Sequence, residues 1–170
     1  MKTANSKKYY SIIRSLHVLC LSFAVTACSI LTSFNKAMPW FSGNQVQSIG
    51  LKATFEEQLL HAIPVDVVFV YDQNLITLFA NADADQWFSE KQKYIASYGF
   101  DLDIIHSEIV PGQCMLITEL PNNHSEAKAV FAFAYYPLNP NAKAVLTELT
   151  TPWLLLDAQS MQVTGEPQQH

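Results

Sequence analysis

The side chains of this chain that could do chemistry are few and scattered. Cys20, Cys28 and Cys114 offer thiols for nucleophilic attack, lipid attachment or a disulfide. His61, His106 and His124 could hold zinc or move a proton, but only if folding brought them together. Asn81, Asp83 and Asp85 place oxygen donors at alternate positions, yet the glycine and distal glutamate of a calcium loop are missing. Helix capping accounts better for those acids. No HExxH or CxxC spacing occurs, and no serine sits in a nucleophile elbow. The five glycines, Gly43, Gly50, Gly99, Gly112 and Gly165, are too dispersed to form a phosphate-cradling loop. The chain is expected to be no enzyme and to use no metal or cofactor.

Cys28 is different, because its neighbours define a reaction. Lys2, Lys7, Lys8 and Arg14 precede an uncharged stretch from Leu16 to Ala27, with no acid in between. A basic region, a short apolar region and a small-residue cleavage site make up a secretory signal. Twelve residues at helical rise reach only ~18 Å, short of the ~30 Å hydrocarbon core, so a permanent membrane span fits less well. Val25-Thr26-Ala27-Cys28 resembles a bacterial lipobox, whose cysteine becomes the first mature residue and carries diacylglycerol. Cys20 fits worse, since Leu19 stands where a small residue is needed. The plain alternative is that Cys28 is an ordinary buried thiol. Charge pattern and spacing favour processing. Several acyl chains give stable anchoring where one chain is marginal. Ser29, rather than aspartate, follows the cysteine, which in enterobacteria-like sorting favours the outer membrane.

Cleavage before Cys28 removes four of the ten basic residues and leaves six lysines against fifteen acids, a formal charge of −9 with no arginine. That argues against nucleic acid and against phosphate esters, both of which call for Lys and Arg. Cys114 is then left without a partner for an intramolecular disulfide. Its setting in "PGQCMLITEL", an apolar alternating run, reads as a buried, inert thiol. The expected organisation is a signal peptide over 1–27, a lipidated tether over 28–45, one β-sandwich domain over 46–165 and a polar tail over 166–170. Trp40 and Phe41 in the tether are read either as docked on the body or as sitting at the lipid interface.

The elements that would position any site are mostly strands. Residues 46–54 read as an imperfect strand, with Gly50 marking a bulge or close approach. "FEEQLLHAIP" (55–64) looks briefly helical, and "VDVVFVYD" (65–72) is β-branched and aromatic, a strand covered on both faces. Asp83 and Gln86 have capping-box spacing ahead of Trp87, Phe88, Lys91, Tyr94, Ile95 and Tyr98 at helical period, with Gly99 as the stop. That aromatic stripe is read as a helix packed on a sheet rather than as a partner surface. After Asp101, strands are expected in "DLDIIHSEIV", "CMLITEL", "AKAVFAFAYY", "AKAVLTEL", "WLLLD" and "MQVTG". The fold class predicted is mainly β: a sandwich of seven to eight strands with a helical insertion between the second and third.

Pro64, Val65, Val67, Val70, Tyr71 and Leu75, then Phe79, Asp85, Trp87 and Phe88, then the Pro111-Gly112 turn, resemble the TssJ (SciN/VasD) family of type VI secretion lipoproteins. The likeness runs from residue 46 to about 140 and departs at Phe69, where the family usually has arginine. It implies a transthyretin-like sandwich tethered to the outer membrane, facing the periplasm and binding the periplasmic C-terminal region of TssM, an inner-membrane protein. In the family the connection between the first two strands makes that contact. Here the matching partner-binding candidates are Phe55, Glu56, Glu57, Gln58, Leu59 and Leu60. Two other classes stay open: a pilotin- or chaperone-like lipoprotein that escorts an envelope subunit, and a periplasmic ligand-binding module.

Overall fold

A computed structural model describes residues 43–55 and 61–165. Eight strands form two four-stranded sheets. The elements are β1 (Ile49–Ala53), β2 (Ile63–Val70), α1 (Gln73–Asn81), α2 (Ala84–Tyr98), β3 (Leu102–Ile109), β4 (Cys114–Ile117), β5 (Ala129–Ala134), β6 (Lys143–Val145), β7 (Trp153–Leu156) and β8 (Met161–Thr164). One sheet has the order β4-β1-β7-β8 and the other β3-β2-β5-β6. All pairings are antiparallel except β1 with β7. The fold is a β-sandwich with a helical insertion between the second and third strands, as the sequence predicts.

Three layers explain the two densest apolar runs. Val65, Val67 and Phe69 of β2 and Val130, Ala132 and Ala134 of β5 face the other sheet, meeting Ile49, Leu51, Leu154 and Leu156. The alternate residues, Val68 and Val70 with Phe131 and Phe133, face α1 and α2 and pack on Leu75, Phe79, Trp87 and Tyr94. A sheet covered on both sides favours apolar residues on both faces, and β2 and β5 are buried along their length save Pro64, which is half-buried, with Asp66 the one charged residue among them.

The helices start where side chains can satisfy the first free amides. Asp83 Oδ1 accepts from the Gln86 amide at 2.7 Å, the expected cap. Asp72 does the same for Asn74 at 2.8 Å and opens α1, a second helix that the strand-like reading of Tyr71-Asp72 obscured. At the far end of α1, Lys143 Nζ bonds the Ala80 carbonyl at 2.6 Å and also reaches that of Ala82, placing a cation against unpaired carbonyls.

Two glycines are dictated by their surroundings. A Cβ at Gly50 would lie 2.1 Å from the Trp153 ring, so the close approach expected there is real. Gly112 has φ +75° in the turn between β3 and β4, a conformation that disfavours any side chain.

Two expectations are corrected. Ile63 and Pro64 belong to β2, and His61 and Ala62 are not helical, so the described part of 55–64 contains no helix. Cys114 is exposed rather than buried. β4 is an edge strand whose partner β1 fixes the phase: Met115 and Ile117 turn inward, and Cys114 and Leu116 outward.

Candidate partner-binding surface

Strand directions gather four connections at one end of the sandwich. The registers of β1 with β4 and β7, and of β2 with β3 and β5, bring together residues 54–55, 61–62, 110–113, 135–142 and 157–160. Residues 44–47 lie at the opposite end, where Asn44 bonds the His124 carbonyl and Gln45 the Thr147 carbonyl.

Phe55 sits at the first of these ends with 84% of its surface exposed. Its ring lies over Gly112, where an added Cβ would come within 3.5 Å of it. The Gly112 amide bonds the Thr54 carbonyl at 3.3 Å, joining the two connections. Val110, Tyr135 and Leu138 are also exposed there, Leu138 at 98%. Half of the eight exposed large hydrophobic residues described thus cluster at one end. Glu56, Glu57, Gln58, Leu59 and Leu60 lie outside the described residues, as do Cys28, Trp40 and Phe41.

The structure does not bring the three histidines together. His61 is exposed at the loop end, His124 bonds the Pro121 carbonyl at the other end, and His106 lies on β3. Among the described residues no three His, Cys, Asp or Glu are grouped to hold a metal ion.

His106 instead belongs to a polar cluster that reading the strand pattern alone missed. Asp66, fully buried on the helix-facing side of β2, receives three donors. His106 Nδ1 lies 2.6 Å from Oδ1, while Lys91 Nζ and Trp87 Nε1 each lie 2.8 Å from Oδ2. Trp87 and Lys91 are one helical turn apart on α2, so one carboxylate fastens both the helix and the edge strand β3 to the sheet. Trp87 also stacks on Phe133 at 5.0 Å, and Phe133 is the β5 neighbour of Asp66. A lone aspartate within an apolar strand run is the signal that could have found this cluster, since a buried charge needs paired donors. Both oxygens are engaged, so the arrangement fixes the helical layer and leaves no carboxylate oxygen directed at a substrate.

The chain matches no protein-family model and no curated protein sequence. It is similar to solved structures of type VI secretion (T6SS) proteins. Against the T6SS lipoprotein TssJ1 from Pseudomonas aeruginosa the TM-score is 0.51 at 18% identity, covering 75% of this chain and 99% of that one. Against a chain of a type VI membrane complex it is 0.52 at 14% identity, covering 71% and 99%. A structure of the T6SS protein TssM C-terminal domain from EAEC gives 0.50 at 12% identity, covering 69% and 95%. The class the architecture defines is thus a helix-bearing β-sandwich. Within that class, this chain has a TssJ-like fold.

Proposed function

We propose that this chain is the lipoprotein of a type VI secretion membrane complex. It is anchored in the outer membrane through Cys28, faces the periplasm, and binds a TssM-like inner-membrane protein to dock the trans-envelope complex. The observation that carries this reading is the helical pair inserted between β2 and β3 of a two-sheet sandwich, in a chain whose start reads Val25-Thr26-Ala27-Cys28. Fold similarity extends to a TssM domain structure, so the sandwich alone does not assign the lipoprotein role, whereas a lipobox does. The contact falls on Phe55 and the neighbouring Glu56, Glu57, Gln58, Leu59 and Leu60, with apolar anchors supplying affinity. No enzymatic step and no cofactor are invoked.

One experiment tests anchor and partner together. A tagged full chain isolated from cells labelled with radioactive palmitate is expected to carry label and to bring down TssM. The Cys28→Ser chain should carry none and remain uncleaved or mislocalised. Equal labelling of that variant would remove the anchor. Capture of a secretin-type subunit instead of TssM would favour an escort lipoprotein, and capture of neither a ligand-binding module.

A further inference from the structure

Among the described residues β4 ends its sheet, and the bonds of its neighbour β1 show which of its main-chain groups face outward. The Gly50 and Thr54 amides donate toward β7, to the Pro152 and Leu156 carbonyls at 2.9 and 2.8 Å. The Ala53 amide donates the other way, to the Gln113 carbonyl at 2.9 Å. Alternation along the β1–β4 register therefore turns the main-chain groups of Met115 and Ile117 toward β1 and those of Cys114 and Leu116 away from it. We propose that this edge takes an extended, uncharged segment of the protein partner as an added strand. The proposal rests on the reading of the Phe55 end as the partner surface.

The strands that end the two sheets are not equally protected. Charged side chains are a usual means of blunting an edge against further pairing. β3 shows the exposed side chains of His106 and Glu108. β6 is three residues long, and its Lys143 reaches across to the carbonyls that end α1. In β8, Met161 and Val163 pack on the core, which puts the polar Gln162 and Thr164 on the outer face. β4 differs from all three. The run from Val110 to Thr118 contains no charged residue, and the outward side chains of β4 are the exposed Cys114 and Leu116.

Chemistry and position select the occupant. A row of outward amide and carbonyl groups is matched by a polypeptide main chain in extended form, which a lipid or a nucleic acid does not offer. Leu116 on one face and Met115 on the other call for apolar side chains on both sides of the incoming strand. The edge also continues the partner surface, since Val110 and the Phe55 ring over Gly112 lie at the turn that leads into β4. A second copy of the chain fits less well. Two β4 edges pair about a two-fold axis that reverses strand direction, so the ends bearing residues 44–47 would point apart. Copies anchored through Cys28 in one membrane share a side instead. The formal charge of −9 after cleavage also sets copies against one another.

The test follows amide hydrogen exchange in isotopically labelled full chain, in detergent under reducing conditions. The probe is the acetylated amide of the peptide Ser-Thr-Val-Leu-Val-Thr-Ser. Saturating peptide is expected to slow exchange at Cys114 and Leu116 at least tenfold and to leave Met115 and Ile117, which face β1, unchanged. The same peptide with proline for its central leucine should protect neither, because proline breaks a ladder. Leu116→Pro removes an outward N–H and keeps the bonds to β1, so it should weaken peptide binding at least tenfold with little change in melting temperature. If that variant unfolds, Leu116→Lys sets a charge on the edge and should weaken binding to the same extent. Absent protection, protection centred on another strand, or unchanged affinity in a folded Leu116 variant would overturn the added strand. TssM separates this from the broader reading. If TssM binds wild type and the folded Leu116 variant alike and leaves both amides exchanging as before, the docking role stands and the edge falls. If TssM does not bind while the peptide protects both amides, the edge stands and the TssM reading falls.

Discussion

Alanine in place of Asp66 is expected to lower the unfolding free energy by about 3 kcal/mol, the scale set by removing one partner from a buried ion pair. The loss comes from the donors left behind. Trp87 Nε1, buried, loses the carboxylate oxygen it donates to, and His106 and Lys91 lose their shared anchor. Lys91 can reach water, because about a fifth of its side chain is already exposed, so the cost falls at the lower end of that scale. Asp66→Asn keeps an oxygen for one donor and should cost less, about 2 kcal/mol, consistent with the extra strength of charge-assisted hydrogen bonds. Urea unfolding of the full chain followed by circular dichroism checks this. A shift below about 1 kcal/mol for Asp66→Ala would mean that the cluster is incidental to stability.

Trp87→Ala should be costlier still, about 4 kcal/mol, because large-to-small changes add a cavity to the lost transfer energy. Trp87 is fully buried, stacks on Phe133 at 5.0 Å and Tyr94 at 5.7 Å, and meets Phe79 edge-on at 5.6 Å. Its removal also takes a donor from Asp66, which a buried carboxylate does not tolerate. Trp87→Phe separates the two contributions. It keeps an aromatic plane in the stack and loses the N–H, and should cost about 1 to 2 kcal/mol beyond its smaller volume. Near-ultraviolet circular dichroism should lose the signal of the stacked rings in Trp87→Ala and keep most of it in Trp87→Phe. Equal stability of both variants would assign the whole effect to the hydrogen bond.

What could be read from the sequence was what neighbouring residues determine. Val65 to Val70, apart from Asp66, and Ala129 to Ala134 are apolar because a sheet between two layers has no solvent face, and that shows in the letters alone. Asp83 and Gln86 marked a helix start because a cap is a three-residue interaction. Gly50 announced a close neighbour without saying that it is Trp153, 103 positions later. Interactions set by distant pairing stayed hidden. Asp66 finds His106 across 40 positions and Trp87 across 21. The facing of Cys114 depends on how β4 registers with β1. Helix α1 is short, and Ile76 and Thr77 within it are β-branched, so it went unmarked between the strand run ending at Asp72 and the cap at Asp83. The candidate surface was legible as a segment, from Phe55 onward. Its companions Val110, Tyr135 and Leu138 became visible only when strand direction brought their loops to the same end.

Titration of the full chain with the purified periplasmic C-terminal region of TssM, in parallel with the Phe55→Asp, Leu59→Asp double variant, tests the docking role most directly. The wild-type chain is expected to bind one to one and saturably. The double variant should lose at least a hundredfold in affinity, because apolar anchors dominate binding energy. Its stability should change by only about 0.5 kcal/mol, the usual scale for a surface change such as that at the exposed Phe55. No binding by the wild-type chain would contradict the account, and so would full binding by a normally folded double variant.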